Sequence, residues 1–395
     1  MSRKRIVATA ALLAGALTLT ACGGSSSSSG GSSGGSSGGG GQTVKIGFMG
    51  DLTGENSGIV IPPYQGAQLA VDEYNATNPP NKIELVKYDS QAKSDQAVAL
   101  ATKAAQQDKV IGMIGPAFSG ESKAADAILE QGEIPNVTAS ATNPGLSQNG
   151  WKYFHRLVAT DDPQGQGIAT FLTRIKSPKK AFVISDDQEY SVGIADYAAK
   201  GFQAANVPVE RDKFAQGASD YSSTVSKVKA ANPDVIFYGG YYAQAGRLLK
   251  QLRDGGVTAT FATGDGSLDA GLISGAGEQA AEGAIVGCPC NIPFGSTDPK
   301  LKKFSDDYKA KFNADPAIYS TEGYDAATAF IKALQAGKTD GPGINDFFTT
   351  LSFDGVSKPV KWTSTGELDT TTIYVYEVKG GKINLLGPTD KAQLS

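Results

Sequence analysis

From Thr43 onward, short apolar runs rich in β-branched residues alternate with helical stretches, the first suited to buried strands. Val44-Lys45-Ile46-Gly47-Phe48-Met49 predicts a strand, then a turn and a helix from about Tyr64 to Asn75. Ile83 to Tyr88 predicts the next strand, followed by a helix over about Ser94 to Gln107. Val110 to Ile114 leads into a helix beginning near Ser119, and Val137 ends another short strand. The rhythm restarts after Asp162-Pro163 with strands at Ala181–Ile184, Asp234–Tyr238, Thr260–Ala262 and Ala284–Val286, and with helices near Val192–Ala205 and Ala243–Arg253. This is the βαβ repeat of a parallel, doubly wound sheet, and it occurs twice in series.

The remaining segment changes character. Helices are expected at about Lys300–Phe312 and Thr321–Gln335, and a hairpin over Ile373–Val378 and Ile383–Leu386 around Gly380-Gly381. Helices without intervening strands cannot build a parallel sheet of their own, so they are expected to pack back on the first unit. The fold class that follows is α/β, with two doubly wound lobes joined by a hinge of three crossings near residues 160, 288 and 364. The expected lobes are 43–160 plus 289–363 and 161–288 plus 364–395. Two such lobes form a cleft at the carboxyl ends of their strands, where open α/β sheets bind ligands, and hinged lobes close over what they bind.

The first 42 residues follow another pattern. Arg3-Lys4-Arg5 precedes an apolar run from Ile6 to Leu19, too short for a transmembrane helix but suited to a signal peptide over residues 1–21. The run ends in Leu19-Thr20-Ala21-Cys22, which resembles the lipobox of bacterial lipoproteins, and that resemblance implies cleavage before Cys22 and lipid on its sulfur. Residues 23–41 are all Gly or Ser, and with Cys22 and Gln42 they form an expected tether. About twenty residues of such coil have an r.m.s. reach of roughly 25 Å. The expected location is extracytoplasmic, with the body anchored by lipid at the outer face of the cell membrane.

Composition narrows the chemistry. The 395 residues carry 36 Lys+Arg against 40 Asp+Glu, which argues against a nucleic-acid partner. One histidine, His155, and three cysteines cannot assemble an HExxH pair or a four-cysteine zinc site, so no metal and no cofactor is expected. His155 itself, just before the first crossing, is expected to be structural. Gly30-Gly31-Ser32-Ser33-Gly34 matches a hydrolase elbow only by chance in low-complexity sequence, and Gly145 to Lys152 nearly mimics a P-loop but has Trp151 where the lysine belongs. An enzyme is therefore not expected, and a binding protein is. Cys288 and Cys290 sit at the second crossing, where outside the membrane they form a possible disulfide that stiffens the hinge, or else remain two free thiols.

The candidate site residues follow strand ends. Gly115-Pro116-Ala117-Phe118-Ser119-Gly120-Glu121-Ser122 offers hydroxyls and free N–H groups at a helix start, which favours an anion; plain capping by Ser119 is the competing reading. Thr138-Ala139-Ser140-Ala141-Thr142-Asn143 is a small-residue loop at the same edge, open to a ligand or simply polar. In the second unit, Tyr190, Tyr238-Gly239-Gly240-Tyr241 and Asp265 follow strands. Aromatic rings there can wall an apolar side chain or stack on a cation. An acid there is a natural partner for an ammonium, while Asp265 beside two glycines also reads as an ordinary turn residue.

Taken in order, Val44 to Gly47, Thr53-Gly54, Gly66-Ala67, Ala70-Val71, the Ser119 loop, Ala139-Ser140-Ala141-Thr142, Asp234 to Tyr241 and Ala281-Glu282-Gly283 make residues 43–395 resemble the branched-chain amino-acid-binding proteins of bacterial ABC transporters, a type I periplasmic-binding-protein fold. The resemblance implies that Ser119 and Thr142, with the backbone near Ser140, hold a ligand α-carboxylate, and that Ser140 and Thr142 also reach its α-amino group. It places Tyr190 and Tyr241 as aromatic walls and Asp265 as the acid on the ammonium, where many relatives have Glu. The side-chain pocket it implies is formed by Ile59, Ala117, Phe118 and Tyr319, and a branched-chain or other aliphatic amino acid is favoured. It implies ABC permease subunits as partners, with the body expected to act as a monomer. The alternatives are a protein of the same fold that binds amides, urea or another small solute, or a sensory ligand-binding module.

Overall fold

In the computed structural model the described residues are 42–369 and 372–394. The expected signal peptide, Cys22 and the Gly/Ser stretch lie outside them, except that Gln42 opens the first strand. The first sheet comprises β1 (Gln42–Gly50), β2 (Asn81–Asp89), β3 (Gly112–Ile114), β4 (Asn136–Thr138) and β5 (Phe154–Arg156), all parallel, in the order β2-β1-β3-β4-β5. The second comprises β6 (Ala181–Ser185), β7 (Val209–Lys213), β8 (Val235–Gly239), β9 (Thr260–Thr263) and β10 (Ile285–Cys288), in the order β7-β6-β8-β9-β10. Each sheet thus repeats one doubly wound order, second-first-third-fourth-fifth, and reverses direction beside its first strand.

Central strands buried on both faces explain the run-like sequences. Every residue of β8 (VIFYG) is buried, as is every residue of β6 (AFVIS). Edge strand β7 reads VERDK and is largely exposed, which is why no apolar run marks it in the sequence. Strand β4, expected around Val137, and β5 are three residues each and carry polar side chains inward, and β5 (FHR) escapes a hydrophobicity reading.

The helices between these strands are α1 (Ile61–Ala76), α2 (Ser94–Lys103), α3 (Ser119–Gln131), α4 (Asp161–Lys176), α5 (Glu189–Ala204), α6 (Ser222–Ala231), α7 (Tyr242–Asp254), α8 (Ala270–Ala276) and α9 (Glu278–Ala281). After β10 come α10 (Pro299–Phe312), α11 (Ser320–Gln335) and α12 (Gly341–Phe348), then the short antiparallel pair β11 (Ser352–Asp354) and β12 (Pro359–Lys361). Helix α11 packs along α1 and touches β3, so this stretch covers the first sheet. The α1–α11 contact is close because glycines face it. A Cβ on Gly66 would stand 1.9 Å from the Ser320 carbonyl oxygen, and one on Gly323 would stand 2.0 Å from that of Pro63.

The hairpin β13 (Tyr374–Lys379) and β14 (Lys382–Pro388) adds antiparallel to β10. Its two-residue turn has Gly380 at φ 60° and Gly381 at φ 71°, the doubly left-handed geometry that suits a tight hairpin and that glycine accepts freely. The chain passes between the sheets after Arg156, after Cys288 and before Tyr374. Residues 362–368 stay with the first sheet. Trp362 bridges Leu368, and the Arg156 N–H donates to the Gly366 carbonyl (2.9 Å). The last passage therefore falls after Leu368 rather than near 364. Among the described residues no helix is long and apolar enough to cross a membrane.

Candidate functional site

In both sheets the direction reverses at the first strand, and the loops that leave the carboxyl ends there face one another. Ile59 follows β1; Ala117, Phe118 and Ser119 follow β3; Ser140 and Thr142 follow β4. From the other side come Tyr190 after β6, Tyr241 after β8 and Asp265 after β9. All ten residues singled out in the sequence are buried, including Tyr319 at the start of α11.

Asp265 and its tyrosines tie the two halves together. The Tyr190 hydroxyl donates to Asp265 Oδ1 (2.8 Å), and the Tyr319 hydroxyl, from the opposite half, donates to Oδ2 (2.7 Å). The Asp265 N–H donates to Gln164 Oε1 (3.2 Å) and the Gly266 N–H to the Tyr190 hydroxyl (3.0 Å). Each carboxylate oxygen still has a second lone-pair direction for a ligand donor. Burial raises the carboxyl above its usual range, and the hydroxyl donors oppose that rise. Tyr319 holds a left-handed backbone (φ 58°), a strained setting for a bulky residue that places its hydroxyl on the acid.

The hydroxyl loops oppose this acid. Ser119 does not cap its helix, since the N-cap position is Phe118; instead Ser119 Oγ accepts from the Asn143 N–H (3.2 Å), which joins the two loops. The Phe118 N–H is taken by Glu121 Oε2 (3.3 Å). Ser140 donates its hydroxyl to the Ala117 carbonyl (2.8 Å), and its N–H reaches Thr138 Oγ1 at 3.5 Å. Thr142 Oγ1 is buried and finds no hydrogen-bond partner among the described residues.

Rings form the outer wall. Phe118 and Tyr241 lie 4.7 Å apart between centroids, and Tyr190 and Tyr241 lie 5.1 Å apart. Outside them is a cleft of about 370 Å3 lined by Gly120, Glu121, Gln188, Tyr190, Gln216 and Tyr241, among others. The halves touch across it. Lys123 Nζ pairs with Glu189 (2.9 Å), Arg247 pairs with Glu55, and the Gly58 N–H donates to the Tyr242 hydroxyl (3.2 Å). This is a closed arrangement.

The sequence reading missed Asp161. It opens α4, directly after the first passage, and is fully buried beside Thr142, whose carbonyl accepts its N–H (2.9 Å). Neither of its carboxylate oxygens, nor Gln164 Nε2, has a hydrogen-bond partner among the described residues. Burial, and then the neighbouring Asp265 charge, pushes its carboxyl well above the usual range. In the sequence Asp161-Asp162-Pro163 reads as an ordinary helix start, and nothing in it marks which of the two acids is buried.

Cys288 and Cys290 are joined by a disulfide at the second passage, both buried. The Cys290 carbonyl accepts from the Tyr376 hydroxyl (3.0 Å), so β13 braces that passage. His155 is buried between Phe348 and Trp362, and burial lowers it to about 4, so it sits neutral in a ring cluster away from the cleft. Among the described residues no group of three or more His, Cys, Asp or Glu is placed to hold a metal ion.

Comparison with known proteins adds an independent line. The profile of the family described as periplasmic binding protein matches residues 43–382. The Leu/Ile/Val-binding protein of Escherichia coli is 30% identical over 333 residues, covering 83% of this chain and 88% of that one. An amino acid binding protein of Pseudomonas aeruginosa is 29% identical over 342 residues, covering 85% and 90%. Among solved structures, the leucine binding protein LivK of Thermotoga maritima superposes with a TM-score of 0.81 at 30% identity, covering 87% of this chain and 98% of that one. LivJ of Streptococcus pneumoniae, solved with isoleucine, gives 0.79 at 28% identity, covering 88% and 100%.

Proposed function

Because the chain belongs to the branched-chain amino-acid-binding family of periplasmic binding proteins and shares its solute-binding role, we propose that it captures a small aliphatic α-amino acid by lobe closure. In this reading it serves as the extracytoplasmic lipoprotein of an ABC importer. The observation that carries the reading is the opposition of charge-seeking groups across one buried cleft. On one side stand Ser119 and Thr142 with the Ser140 backbone; on the other stands the buried Asp265, and a second buried acid, Asp161, lies beside Thr142. A zwitterion satisfies both sets at once. Its carboxylate meets the hydroxyls and N–H groups of the first half, and its ammonium meets the acids. Ile59, Ala117 and Phe118 leave an apolar wall for the side chain, whose burial contributes about 25 cal/mol per Å2. The buried acids support the specificity, because a ligand without an ammonium leaves Asp265 and the neighbouring Asp161 buried with no cation.

Lipid on Cys22 would hold the body at the outer membrane face, and closure of a monomer around its ligand would present the loaded form to permease subunits. The amide and urea readings have no use for two buried acids.

Calorimetric titration tests this with L-leucine, L-isoleucine, L-valine and 2-hydroxy-4-methylpentanoate, which lacks the ammonium. The amino acids are expected to bind and the hydroxy acid to bind at least tenfold more weakly. Asp265→Asn is expected to cost about 1.5–3 kcal/mol in leucine affinity, the range for a hydrogen bond to a charged group. Equal binding of the hydroxy acid would end the amino-acid reading.

A further inference from the structure

The loop that carries Ser140 and Thr142 is not fixed by its own backbone alone. Arg156, at the end of β5, is fully buried. Its Nη1 donates to two carbonyls of that loop, those of Ala141 (3.0 Å) and Asn143 (2.8 Å), the residues on either side of Thr142. The other edge of the guanidinium makes a two-pronged contact with Glu367, Nε to Oε2 at 2.9 Å and Nη2 to Oε1. Glu367 lies on the 362–368 segment, which enters the last passage between the sheets, while Arg156 itself enters the first. The backbone repeats the link. Arg156 N–H donates to the Gly366 carbonyl (2.9 Å), and Trp362 Nε1 donates to the Arg156 carbonyl (2.8 Å).

One planar cation thus spans the hydroxyl loop and two of the three passages. Only arginine presents donors on two edges at fixed angles, and lysine at this place can reach one side but not both. We propose that Arg156, oriented by Glu367, is a positioning residue that holds Thr142 and the Ser140 backbone in register for a ligand carboxylate and couples that register to the hinge segments. The inference rests on the amino-acid reading above. Arg156 does not touch the ligand. It acts through the two carbonyls, whose peptide units set where the Thr142 hydroxyl and the neighbouring N–H groups point.

The test uses Glu367→Gln, at a partly exposed carboxylate, and Arg156→Lys, which keeps the charge but not the fork. L-Leucine and L-leucinamide are titrated against each protein; the amide keeps the ammonium and lacks the carboxylate. In the unaltered protein leucine is expected to bind at least tenfold tighter than leucinamide. In both variants that ratio is expected to fall by about tenfold, with leucinamide affinity changed less than threefold. Hydrogen exchange on the ligand-free proteins supplies a second readout, with amides of residues 139–143 expected to exchange at least tenfold faster in Glu367→Gln while the sheet strands stay protected. A ratio unchanged in both variants, or exchange confined to the global rate, overturns the positioning role and leaves the amino-acid reading intact. Failure of the unaltered protein to prefer leucine over its amide sinks the amino-acid reading and this inference with it, whatever the exchange shows of the loop.

Discussion

At the scale of single residues, burial decides charge. Glu121 sits at the mouth of the cleft, fully enclosed, with Ser90 Oγ and the Phe118 N–H as its partners. Desolvation outweighs those bonds and raises its carboxyl to about 7. The folded state therefore holds this proton between the ordinary carboxylate range and pH 7, while the unfolded chain has released it. Stability from this group is full below about pH 4.5 and is lost as pH rises towards 7. Glu121→Gln removes that loss, so its stability relative to the parent is expected to rise by about 3 kcal/mol between pH 4.5 and 7. Urea unfolding at both pH values measures it, and a parallel pH dependence in parent and variant would refute it. The same scale shows how far a sequence reading reaches. Ser119, Thr142 and Asp265 could be singled out because each follows a strand end, with Asp265 standing where many relatives have Glu. Asp161 and Arg156 were not, since what distinguishes Asp161 from Asp162, and Arg156 from any strand-end arginine, is enclosure by segments far away in the chain.

At the scale of elements, apolar runs marked most strands, the half-exposed β2 included, and missed charged β7 and polar β5. Strand β7, with charges at Glu210, Arg211 and Asp212, lies on a sheet edge where one face and one hydrogen-bonding side are open. The pair β11 and β12 and helix α12 are short, and their stability comes from packing on a neighbour rather than from periodicity. Contacts between elements are set by small residues. Gly323→Ala drives a methyl into the Pro63 carbonyl, which is backbone and cannot turn aside. A loss of about 3 kcal/mol or more is expected, the upper range for overpacking. Gly217→Ala, where a Cβ meets nothing within 4 Å, is the control expected to unfold like the parent. Equal melting temperatures for Gly323→Ala and Gly217→Ala would show that α1 and α11 separate without cost.

At the scale of the whole molecule, two cations gather the passages between the sheets. Arg156 joins the first and the last. Lys358 joins the first and the second, donating to the carbonyls of Leu157 (3.1 Å) and Pro289 (3.5 Å) and to Glu322 (2.7 Å). Lys358→Met leaves the Glu322 carboxylate buried without its cation, an expected cost of about 3–5 kcal/mol. Lys358→Met combined with Glu322→Leu is expected to recover most of it, because no charge is then stranded. Urea midpoints for the two variants decide the matter, and a double variant no more stable than the single one would mean that the Lys358 contacts to the two carbonyls dominate.

The alternation of apolar runs and helical stretches determined, without any coordinates, that the chain builds two α/β units in series, and the resemblance carried by its strand-end loops named the residues around the cleft. Strand identity follows from local composition where a strand buried on both faces is apolar along its length, as in β6 and β8. Which acid is enclosed, which arginine holds the hydroxyl loop, and where the last passage leaves the first sheet were decided only by the folded chain. Those properties belong to pairs of residues far apart in the sequence, Asp161 with Asp265 and Arg156 with Glu367, and the energy of such a pair depends on the water excluded around it, which no local pattern records.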